Sequence, residues 1–168
     1  MFQFLKQLLL GRVSMVLMCG ALKAQDVLTV VYATSDDGFL NVRSEPSNKG
    51  KILTTLAFRF HDLGDGILIE KGEQWSKVQA HGKTGWVYNK YLGTQTWYTG
   101  KGRHRLIAGR DNMPLYGEDY SGENQRPVFG TVPKGTILAD DYTEEDGYYI
   151  LWTIHDNLFI RKKDARVK

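Results

Sequence analysis

From Val27 onward the apolar residues fall in short runs: VLTVVYA, FLNVR, KILTTLAF, GILIE, WSKVQA and GWVYNKYL. Each is bounded by Gly, Pro, Asn, Asp or Ser, and none sustains a 3.6-residue period. Amphipathic helices are therefore excluded, and the fold class read from the pattern is all-β. In WSKVQA, alternation places Ser76, Val78 and Ala80 on one face and Trp75, Lys77 and Gln79 on the other. Val78 is the natural core residue, so Trp75 belongs to the face it shares with Lys77. The following AHGKTG reads as a tight hairpin connection, with Gly82 at a position that needs positive φ.

The second half repeats this plan more loosely. MPLYGE at 113–118 stands where LNVRSE stands at 40–45, and VFGTVPKGTIL follows, with Gly135 in a turn ahead of a strand at 136–139. DGYYILWTIHDNLFIRKKDARV then mirrors GEQWSKVQAHGKTGWVYNKYL: an aromatic strand, a His-x-Asn turn, and a shorter apolar strand ending in basic residues. Trp75 and Trp86 are eleven positions apart, and Tyr149 and Phe159 are ten apart. Two units follow, over 26–99 and 104–168, each at the small end of what folds alone.

The beginning of the 168-residue chain is different in kind. MFQFLKQLLLGRVSMVLMCGALKAQ carries Lys6 and Arg12, then the apolar run Val13 to Leu22, then Ala24. That order reads as a signal peptide over 1–24 and predicts export to the periplasm or the cell surface. The apolar part is shorter than the ~20 residues of a membrane span, so no permanent span is expected. Met18 and Val16 match a lipobox poorly, so a lipid anchor at Cys19 is not expected either.

Cleavage after Ala24 also removes the chain's charge excess. The whole chain has 22 basic and 19 acidic residues, but the leader holds Lys6, Arg12 and Lys23 and no acid. What remains is neutral, which argues against nucleic acid as a partner. Residues 100–110 carry four basic residues and no acidic one, between a balanced first half and a second half with ten acids against two bases over 111–160. This stretch, with Gly100 and Gly102, reads as a domain boundary and solvated linker; the sharper alternative is a strip that docks on the acidic half.

Catalysis finds no support in these residues. Without Cys19 the exported chain has no cysteine, and no Gly-x-Ser-x-Gly elbow is present. His61, His81, His104 and His155 show no metal-binding spacing, and His81 and His155 fall in predicted turns. ADDYTEEDG at 139–147 packs five acids between Asp140 and Asp146, yet lacks calcium-loop spacing, and reads as a solvated hairpin loop. The expectation is a non-enzyme with no cofactor and no metal.

GFLNVRSEPSNKGKILTTL and GEQWSKVQAHGKTGWVYNKYL together resemble the opening and closing signatures of the bacterial SH3-like domains of exported envelope proteins. The resemblance covers residues 38–92. The second unit is similar only in outline: it lacks the Asn-Val-Arg triplet, and Phe159-Ile160 stands in place of Trp-Val. The resemblance implies two small SH3-like β-barrels in tandem. It also implies a binding module for peptidoglycan, its peptides, or another envelope protein. A structural or adaptor protein, whose two barrels form a protein–protein interface, is the alternative. The residues expected to contact a ligand are Trp75, Trp86, Tyr91, Tyr88 and Phe39, with Arg43 on the rim, because flat aromatic faces give large contact area at little entropic cost. For Arg43 the competing reading is a pair with Glu45 or the neighbouring turn.

Overall fold

The computed structural model describes residues 27–57, 66–122, 125–152 and 157–168. The signal-peptide reading, Cys19, His61 and His155 lie outside the described residues. Seven strands make the first sheet: β1 (Val30–Ala33), β2 (Phe39–Arg43), β3 (Ile52–Ala57), β4 (Gly66–Glu70), β5 (Trp75–Ala80), β6 (Lys83–Tyr88) and β7 (Leu92–Gln95), in the order β3-β2-β6-β5-β4-β1-β7. The rest of the chain adds β8 (Leu106–Ala108), β9 (Met113–Tyr116), β10 (Val128–Val132), β11 (Ile137–Ala139), β12 (Thr143–Glu145), β13 (Tyr148–Trp152), β14 (Asn157–Arg161) and β15 (Ala165–Val167). These form a five-stranded sheet, β10-β9-β14-β13-β12, and a three-stranded one, β11-β8-β15.

The protein is all-β, and its three sheets are antiparallel. Where two closed barrels were expected, the described residues form three open sheets. In the second unit, the three-residue strands β8, β11 and β15 form a sheet of their own and do not extend the larger one.

Three strands lie where none was expected. β8 falls inside the basic stretch read as a boundary, β12 inside the acidic cluster read as a loop, and β15 at the end of the chain. The run GWVYNKYL, read as one strand, is divided by a 3-10 turn over Asn89–Tyr91.

Both glycine-bearing hairpins have a physical cause. His81 and Gly82 have φ of 48° and 68°, and Asp146 and Gly147 have 43° and 83°. Two successive positive φ values are the signature of the type I′ turn, whose twist matches that of the flanking strands.

Alternation divides the first sheet between two cores. Val31, Leu68, Val78, Ala80 and Val87 pack with Leu40, Val42 and Leu56 inside the first unit. Leu28, Val30 and Ile67 face the other way and join Trp97, Leu106, Met113, Phe129, Leu138, Leu151 and Ile160 in a second core. The two units thus share one hydrophobic body, and β1 and β4 read as near-continuous apolar runs because both their faces are covered. Backbone contacts cross the same boundary: Val27 bridges Ile137 and Trp97 bridges Ala139. The Leu28 N–H donates to the Ile137 carbonyl at 2.7 Å, and the Thr131 N–H donates to Gln79 Oε1 at 2.9 Å.

Candidate functional site

The outward face of β5 and β6 is covered by the second unit at one end, near Gln79, and open at the other, near Trp75. Trp75 faces Tyr88 across the ladder, with ring centroids 5.3 Å apart and planes tilted by 48°. Tyr91 extends the row from the 3-10 turn, 6.3 Å from Tyr88 and nearly edge-on at 63°. Asn89 anchors that turn: its Nδ2 donates to the carbonyls of Gly72 (2.9 Å) and Glu73 (3.2 Å), and its N–H donates to the Gln74 carbonyl. The Tyr91 carbonyl accepts the Thr34 N–H at 3.0 Å, which ties the turn to the end of β1.

Phe39, the first residue of β2, completes the aromatic set and is 47% exposed. Ser35 Oγ donates to its carbonyl at 2.7 Å, which fixes the β1–β2 loop against the strand. Together Phe39, Trp75, Tyr88, Tyr91 and Arg43 line a groove of about 490 Å³, with Asp36 and Asp37 from the loop also in its wall. Arg43 Nη1 donates to the Gly50 carbonyl at 2.9 Å, so this guanidinium braces the β2–β3 turn rather than pairing with Glu45. Its other donors have no partner among the described residues.

Five of the six residues expected from the sequence thus share one groove. Trp86 does not line it. It lies on the same sheet face, but its ladder partners are Lys77 and Arg43, and Lys77 Nζ sits 5.8 Å over its ring. Two residues along a strand is a displacement of about 7 Å, enough to put it beyond the aromatic row. Both tryptophans are half-buried, and Ser76, Val78 and Ala80 are buried, so Trp75 does share its face with Lys77. Asp36 and Asp37 were not singled out from the sequence. The signal available was an acidic turn placed directly before the strand that carries Phe39.

Chemically, the groove offers flat ring faces, two carboxylates and one guanidinium. This suits a ligand that carries apolar surface with both charge signs, such as a peptide, or a sugar that stacks on rings. His81 is exposed in its hairpin turn, with Nδ1 3.1 Å from Thr54 Oγ1, and His104 is also exposed. Among the described residues, no three His, Cys, Asp or Glu side chains are grouped so as to hold a metal ion, and no helix is long and apolar enough to cross a membrane.

No protein-family model matches the chain, and no curated protein matches it. Among solved structures, NlpC2 from Trichomonas vaginalis is similar at 11% identity and a TM-score of 0.36, over 86% of this chain and 50% of that one. NlpC1 from Trichomonas vaginalis is similar at 12% identity and a TM-score of 0.35, over 84% of this chain and 46% of that one. The chain spans about half the length of each.

Proposed function

We propose that the chain is an exported, non-enzymatic protein of two SH3-like units, whose first unit binds a cell-wall peptide or glycan, or an envelope protein, at the groove between Phe39 and Tyr91. The reading needs no cofactor and places the protein in the periplasm or at the cell surface. The observation that carries it is the convergence of four aromatic rings and Arg43 on one open groove. An aromatic row held by hairpin and turn loses little side-chain entropy on binding.

The test is retention of the purified chain on peptidoglycan sacculi. The intact protein is expected to be retained, and a Trp75→Ala, Tyr91→Ala pair to lose retention by roughly tenfold or more. Trp86→Ala, outside the groove, is expected to have a smaller effect. A folded, intact protein that is not retained would sink the reading. The core shared between the units favours a second reading, an adaptor in which both units form one rigid body that presents a protein surface. Co-purification of an envelope protein that survives the Trp75→Ala, Tyr91→Ala change would favour it.

A further inference from the structure

A second groove, of about 530 Å³, lies on the face of the five-stranded sheet turned away from the shared core. Tyr149 and Leu151 of β13 pack into that core, so alternation turns Tyr148, Ile150 and Trp152 outward. Tyr148, Ile150 and Phe159 form the groove floor as a small cluster of their own, together with Tyr116.

Trp152 stands at one end and is 61% exposed. Its backbone is nonetheless pinned, because its carbonyl accepts Trp97 Nε1–H at 2.8 Å and Gln95 Nε2–H at 3.0 Å. A large exposed indole on a fixed backbone is a preformed contact surface, of the kind that dominates binding energy at interfaces.

The floor already holds one cation. The Arg126 guanidinium stacks 3.4 Å over the Phe159 ring and 5.5 Å from that of Tyr148, and its Nη1 is 3.6 Å from Glu118 Oε1. The remaining charge in the wall is negative: Glu118, Glu144, Glu145 and Asp146 line the groove against that single guanidinium. Glu144 is paired with Lys162 at 2.6 Å, whereas Glu145 and Asp146 have no partner among the described residues.

Geometry sets the length of an occupant. Glu145 pairs with Tyr148 in the ladder, and Trp152 lies four residues further along β13. That separation is about 13 Å, too far for one side chain but matched by an extended segment whose alternate side chains face the groove. We propose that this groove binds an extended cationic peptide, with one Arg or Lys side chain met by Glu145 and Asp146 and another laid on the Trp152 indole. Charge complementarity selects this occupant, since an anionic or purely apolar segment would leave both free carboxylates uncompensated. The proposal does not rest on wall binding by the first groove.

The probe is acetyl-Arg-Ala-Arg-Ala-Arg-amide, titrated calorimetrically into the full chain, with acetyl-Glu-Ala-Glu-Ala-Glu-amide as its counterpart. Saturable binding of the arginine peptide is expected, weakening as salt is raised. It is expected to fall roughly tenfold or more in the Glu145→Gln, Asp146→Asn pair and in Trp152→Ala. Asn tolerates the positive φ of position 146, so the hairpin is preserved in the charge variant, and circular dichroism checks this. The Trp75→Ala, Tyr91→Ala pair should bind this probe unchanged, which separates the two grooves. The proposal is overturned if the arginine peptide does not bind, if the glutamate peptide binds equally well, or if the charge variant binds undiminished.

Discussion

Gly82 and Gly85, three residues apart in one hairpin, are required for unrelated reasons. Gly82 has a φ of 68° and open space around it, so its need is conformational. Gly85 has an ordinary φ, but a Cβ there would lie 2.5 Å from the Arg43 carbonyl oxygen and 2.8 Å from Val42 Cγ1. The second need is steric, because β6 passes close to the backbone of β2. Gly85→Ala is therefore expected to cost about 1–3 kcal/mol of stability, read as a lower urea midpoint with an unchanged slope. Since β2 also carries Phe39 and Arg43, the same change should disturb the first groove. The aromatic members of that groove were legible in the sequence, because alternation and one hairpin put Trp75 and Tyr88 side by side. Trp86 was not separable from them, since alternation gives it the same face and only position along the strand divides it from the row.

Among the elements, legibility followed length and composition. Strands β2, β4 and β5 have five or six residues with clear punctuation and were read to their ends. β8, β12 and β15 have three residues each, and β12 consists of Thr143, Glu144 and Glu145, all exposed. Its pairing with β13 is held by the Asp146-Gly147 turn rather than by apolar burial, so hydrophobic patterning carries no trace of it. The segment read as a solvated linker is also more tightly held than its composition suggested. Asp140 Oδ1 accepts the Thr99 N–H at 2.8 Å, and Oδ2 accepts Thr99 Oγ1–H at 3.0 Å and the Gly102 N–H at 3.1 Å.

These bonds, led by the Thr99 amide, hold the Asp140 carboxyl down at about 2, against an ordinary 3.8. A depressed carboxyl stabilises the fold above its ordinary value, and that contribution is lost as pH falls from 3.8 towards 2. Protection of the Thr99 and Gly102 amides, measured as exchange relative to the intrinsic rate at each pH, should accordingly be highest at about pH 5 and fall through that window. In Asp140→Asn this pH-dependent loss of protection should vanish; an unchanged profile in that variant would place the titrating group elsewhere.

At the scale of the whole molecule, the shared core makes the two units one thermodynamic body. Ile67 belongs to the first sheet in sequence but is buried among residues of the second unit. Ile67→Ala is expected to cost about 2–5 kcal/mol and to lower one common unfolding transition in calorimetry. Two resolved transitions, with only the earlier one shifted, would contradict a common core. None of this was legible in the sequence. Alternation says that Ile67 and Leu68 face opposite ways, but it cannot say that both faces are covered, because what covers Ile67 is encoded beyond residue 105.

The bridges from Val27 to Ile137 and from Trp97 to Ala139 also bear on how quickly the chain can mature. A polypeptide that emerges amino end first can complete its own small interior from residues 31–92. Yet it must then wait, with Leu28, Val30 and Ile67 bare, for partners that arrive much later. Contacts of such high order are slow to close, because the entropy of a long intervening loop is spent before any contact rewards it. Until the second unit has been made, that apolar face is open to aggregation and proteolysis.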